Sequence, residues 1–157
     1  RRAQARQEKK ANHKQKGSRF KKTDGFISIR RSTPMTADEA RSISVPAQVS
    51  WLKICEGNGD IICFSDVVWA VSLVEHCLNG KDIEGVKETL SETSDFLMRL
   101  KTEFLEKKTL TPTDQDKILM DTILDLHDQV LRFLSPLQLN TMLSEIEAKR
   151  DKFIKKE

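Results

Sequence analysis

The sequence predicts a mainly α domain: a four-helix-bundle-like body with one candidate β-hairpin, preceded by a basic disordered arm. Three observations predict it. The stretch Ser65–Gly80 is apolar on almost every face, as in a helix surrounded by its neighbours. Later segments repeat apolar residues at alternating steps of three and four. The composition has no Tyr, six Gly and four Pro, which disfavours all-β and collagen-like chains. With 38% hydrophobic residues in 157, the chain can bury one core; its 32% charged residues leave a highly charged surface.

The charge is divided. Residues 1–44 hold 13 Lys/Arg against 4 Asp/Glu, while residues 45–157 hold 14 against 20. The domain reading follows that division: a basic flexible arm and linker over 1–44, and a helical domain over 45–157. The chain begins at Arg1 rather than Met, so a piece of a longer polypeptide is expected. Cys55, Cys63 and Cys77 form no disulfide framework, which points to a reducing, intracellular compartment, nuclear or cytoplasmic. No signal peptide or transmembrane run stands out.

Arg1–Lys22 carries ten basic residues and a single acid, Glu8, with no apolar periodicity. It cannot bury itself and is expected to be disordered. Gly25–Arg31 (GFISIRR) alternates apolar and polar residues, as a short strand or docking peptide would. Thr36-Ala-Asp-Glu39 fits a capping box with about two turns of helix behind it. Val49–Phe64 carries Glu56-Gly-Asn-Gly59 between two β-prone runs, and a hairpin is the favoured reading. The competing one is a helix capped by Ser44, with Pro46 in its first turn, ending near Gly57.

Ser65 is the expected cap of the central helix and Gly80 its left-handed end; at about 15 residues it is short for a membrane span. Within Asp82–Lys108, the positions Ile83, Val86, Leu90, Thr93, Leu97, Leu100 and Phe104 form an a/d stripe, with a weak point at Ser91–Ser94. Thr113 caps the next helix, whose expected stripe is Leu119, Ile123, Leu126, Val130 and Phe133. Ser135, Pro136 and Gln138 restart the chain as a capped helix with Leu139, Met142, Leu143 and Ile146 inward.

Enzyme signals are sparse. His76 and Cys77 are helix neighbours about 100° apart and cannot pair as base and nucleophile. No C-x-x-C supports zinc, and no Glu-x-x-His motif supports a di-iron bundle. Gly57-x-Gly59 lacks the remaining residues of a phosphate loop. Glu56, Asn58, Asp60, Ile62 and Asp66 resemble the order of an EF-hand calcium loop. However, the Gly due after Asp60 is missing and no partner loop follows. The reading is a plain turn, with no metal, no cofactor and no catalytic residue.

The arm is the strongest functional signal. Arg1, Arg2, Arg6, Lys9, Lys10, Lys14, Lys16, Arg19, Lys21 and Lys22 suit contact with phosphates, which needs charge but little geometry. Lys9-Lys10 and Arg19-Phe-Lys21-Lys22 resemble a loose bipartite nuclear localisation signal. Arg30-Arg31-Ser32-Thr33-Pro34 makes Ser32 and Thr33 phosphorylation candidates that would weaken the arm's grip on an anion. Asp121, Asp125 and Asp128 share one helical face and form a candidate docking stripe for a partner.

The expected function is a non-enzymatic protein-interaction module. Its arm contacts nucleic acid or chromatin, and its body docks a protein. The alternatives are a cytoskeletal or membrane-surface adaptor that touches lipid without insertion, and a coiled-coil oligomerisation domain. The oligomeric state is not determined by the sequence.

Overall fold

The computed structural model describes residues 32–81 and 83–154, and all regular structure among them is helical. Five helices follow in order: α1 Ala37–Cys55, α2 Ile61–Leu78, α3 Val86–Lys107, α4 Asp114–Phe133 and α5 Pro136–Ile154. The bundle-like body is therefore as expected, with α2 at its centre: it packs against each of the other four helices. The basic residues Arg1 to Lys22 and the GFISIRR segment lie outside the described residues.

The hairpin expected at 49–64 is instead a helix–turn–helix. The glycine signal is real but has another use. Gly57 takes φ +81° and terminates α1: its N–H donates to the Ile54 carbonyl at 3.1 Å, and the Asn58 N–H donates to that of Lys53 at 2.8 Å. That pair of bonds is a Schellman motif, which needs the same positive φ as a tight hairpin turn. Asp60 then caps α2, its carboxylate accepting from the Cys63 N–H at 2.9 Å. Residues Ile61–Asp66 are thus helical and do not wrap as a calcium loop.

Helix boundaries shift in the same way elsewhere. The capping box of Thr36 and Glu39 is present, but it starts a 19-residue helix rather than two turns. The helical body consequently includes residues 37–44. Ser44 and Pro46 lie inside α1, not at its start. Pro46 offers no N–H to the Ser42 carbonyl one turn back. The central helix begins at Ile61, not Ser65, and reaches 18 residues with a mean hydropathy of 1.7. By length and composition it could cross a membrane, yet it is packed among four neighbours.

Helix α3 starts after Gly85, leaving Ile83 outside and exposed. Ser91–Ser94 does not break it. Thr93 is fully buried, and its hydroxyl donates to the Thr89 carbonyl at 2.6 Å, so a polar side chain sits in the core with its partner supplied. The boxes at Thr113/Asp116 and Ser135/Gln138 open α4 and α5. The α4 stripe is rotated from the expected one. Met120, Ile123, Leu124, His127 and Leu131 face inward, and Phe133 is 81% exposed.

The main core joins Ala47, Trp51 and Ile54 of α1, Phe64, Val67, Ala70, Val71 and Val74 of α2, Phe96, Leu97 and Leu100 of α3, and Met120, Ile123 and Leu124 of α4. Trp51 and Phe96 meet at 6.1 Å between ring centres. A smaller core of Met35, Ala40, Leu73, Leu131, Leu134 and Leu139 holds α5 and the start of α1, and Met142, Leu143 and Ile146 pack on it as their stripe anticipates. The Met35 N–H donates to the Leu134 carbonyl at 3.0 Å, tying the segment before α1 to the α4–α5 corner.

Candidate partner-docking groove

One face of α2 is left partly open. Ile61, Ser65, Val68, Ser72 and Asn79 recur at helical spacing and form the floor of a groove of about 760 Å³, walled by α3 and α5. The α3 wall is Ser94, Met98, Lys101 and Leu105, a series stepping by four, three and four. It lies one residue beyond the core-facing Thr93, Leu97, Leu100 and Phe104. Met98 and Leu105 are 62% and 63% exposed, so α3 carries apolar side chains on two faces and buries only one of them. The α5 wall contributes Ile146, Lys149 and Arg150. No lining residue comes from α1 or α4.

Three cations, Lys101, Lys149 and Arg150, stand on the two walls, and none of them makes an ion pair with a described residue. Glu75 is the only carboxylate among the described lining residues. At the rim, His76 Nε2 lies 2.6 Å from Glu145 Oε2, linking α2 to α5.

Ser72, His76 and Glu145 have the residue types of a hydrolase triad, but the arrangement lacks its other requirements. No hydrogen bond joins Ser72 to His76. Ser72 also sits mid-helix, where backbone N–H groups are already used and cannot form an oxyanion hole. Cys77 lies behind this face with its sulfur 3.3 Å from that of Met142, and burial pushes its thiol pKa up, as it does for Cys55. Raised thiols at these positions are poor nucleophiles. Among the described residues no three His, Cys, Asp or Glu side chains group as metal ligands.

The sequence-predicted sites fall elsewhere. Ser32 and Thr33 are exposed just before α1. Asp121 and Asp125 are exposed on α4; Asp128 is half-buried and already engaged by Arg132 at 2.9 Å. The acidic stripe and the groove are therefore separate surfaces. The groove was missed because serines do not register in an apolar pattern. The second series on α3, Ser94-Met98-Lys101-Leu105, was legible but overshadowed by the stronger stripe beside it.

No protein-family model matches the chain, and neither a curated protein nor a solved structure is significantly similar to it.

Proposed function

We propose that this chain is a non-enzymatic interaction module that acts in the nucleus. Its helical body docks a protein partner, and its basic arm contacts nucleic acid. The observation that carries the first half is the face of α2 that no described helix covers, flanked by the exposed Met98 and Leu105 of α3. An apolar groove between two helices is a common seat for a third, whose anchors recur at i, i+3, i+4 and i+7. The second half rests on the ten cations of residues 1–22. Ser32 and Thr33 stand where the arm meets the body, and phosphate there would oppose the arm's charge.

Each half has its own test. A photo-crosslinking side chain at position 72 should label a discrete polypeptide in cells, whereas one at the exposed position 53 on α1 should not. Equal labelling from both positions removes the docking reading. For the arm, duplex-DNA affinity of residues 1–157 should fall steeply with salt, with a slope that counts neutralised phosphates. Residues 32–157 should not bind. If neither fragment binds at low salt, the nucleic-acid half is wrong.

A further inference from the structure

We infer that the groove selects an acidic amphipathic helix of a partner protein, an inference that rests on the docking reading above and specifies what docks. The length fits. The floor follows α2 from Ile61 to Asn79, about 27 Å at 1.5 Å per residue, which matches a partner helix of about five turns. The depth fits as well. Ser65 and Ser72 are small, so a helix laid over them can approach to the ordinary interaxial distance of about 8–10 Å. Met98 and Leu105 on one wall and Ile146 on the other would meet its apolar face.

Charge decides the kind of helix. Lys101 on one wall and Lys149 and Arg150 on the other stand without ion-pair partners among the described residues, against the carboxylate of Glu75 and, at the rim, that of Glu145, which His76 engages. A helix with Asp or Glu flanking both edges of its apolar face would pair with both walls. A basic helix would be repelled from both, and the chain's own arm, with ten cations in 22 residues, is excluded on the same ground.

The test uses the full chain and two designed 18-residue peptides with identical apolar faces, one flanked by Glu and one by Lys. The arm can itself attract an acidic peptide, so the readout is the emission of Trp69, a groove residue, with Trp69→Phe identifying its share of the signal. The acidic peptide should shift that emission and the basic one should not. Reversing the walls with Lys101→Glu, Lys149→Glu and Arg150→Glu leaves the arm intact. It should weaken the acidic peptide by about tenfold, the sum expected of three exposed pairs, and let the basic peptide shift Trp69. Ser72→Phe, which fills the floor without adding a further tryptophan, should abolish both.

Four outcomes overturn the inference: no Trp69 shift with the acidic peptide, no change of preference on charge reversal, a Trp69 shift produced by phosphatidylserine vesicles but by neither peptide, or a dimer by sedimentation that Ser72→Phe dissociates. If crosslinking from position 72 still labels a discrete protein while the acidic peptide fails, the docking reading stands and only the charge rule is lost.

Discussion

The two sides of α2 are built from similar small residues and end differently. On the side facing α1 and α4, Ala70 and Val74 share the main core with Ala47, Trp51 and Ile54, and Ser50 of α1 donates to Asp66 of α2 at 2.6 Å. On the side facing α3 and α5, Ser65, Val68 and Ser72 line a groove across which none of the described helices is laid. Small side chains lower the surface of a helix wherever they occur. They become a tight interface only where the chain supplies another helix to lie on them. A serine is a positioning residue in the first setting, because its hydroxyl has a partner, and a space-maker in the second.

Breaking the filled side should have the largest effect. Ile54 is 1% exposed in the main core, and Ile54→Ala should lower stability by about 2–5 kcal/mol through the lost contacts and the cavity. Met98→Ala on the groove wall should change it by about 0.5 kcal/mol or less. Urea midpoints compare the two directly. Equal losses would mean that the groove closes in solution.

Acid should attack the filled side next. His127 is buried, its Nδ1 has no hydrogen-bond partner among the described residues, and burial lowers its pKa from 6.5 to about 4, with the neighbouring Asp128 opposing the shift. The folded state therefore resists protonation that the unfolded state accepts below pH 6.5. Stability present above pH 6.5 is lost as the pH falls toward 4, by up to about 3 kcal/mol. His127→Leu should flatten the slope between pH 6.5 and 5. An unchanged slope in that variant would assign the acid sensitivity to other groups.

The α1–α2 turn sets how closely that side can pack. A Cβ at Gly59 would lie 2.8 Å from the Ile54 Cα and closer still to its Cγ1. Gly59→Ala should thus force the turn open and destabilise by about 1–3 kcal/mol, as overpacking does. Thermal unfolding beside Gly57→Ala separates this clash from the loss of a positive φ, since a Cβ at Gly57 meets nothing.

The smallest expected effect is the sharpest contrast. Ser50→Ala leaves Asp66 without its donor and should lose about 1 kcal/mol, while Ser72→Ala should be close to neutral. A double-mutant cycle with Asp66→Asn should show coupling for Ser50 and none for Ser72. Coupling at both serines would mean that the two sides are not as different as their geometry indicates.

Local chemistry was the most legible part of the fold. Thr36, Thr113 and Ser135 could be read as caps because a cap and the residue three positions on satisfy each other within a single turn. The identity of α1 was hidden because four of its six buried positions are Ala40, Ser44, Ala47 and Ser50, which carry little hydropathy, and only its last turns add Trp51 and Ile54. The turn at Gly57–Gly59 was ambiguous because a Schellman motif and a hairpin both require a left-handed residue. The α4 register slipped because Leu119, Leu126 and Val130 are apolar but only partly covered, while Asp116 and His127 are buried. Asp116 is admitted inside by Arg99 and by the Thr113 N–H, partners that no periodicity reveals.

By itself the sequence determined the helical class, most helix starts, the central position of Ser65–Gly80 and the division of charge. These depend on interactions within a few residues or on composition. The tertiary structure alone decided which face of each helix is covered, whether a buried polar group finds its partner, and where space remains beside α2. Those outcomes depend on side chains far apart in the chain, such as Ser50 with Asp66 and His76 with Glu145, meeting across helices.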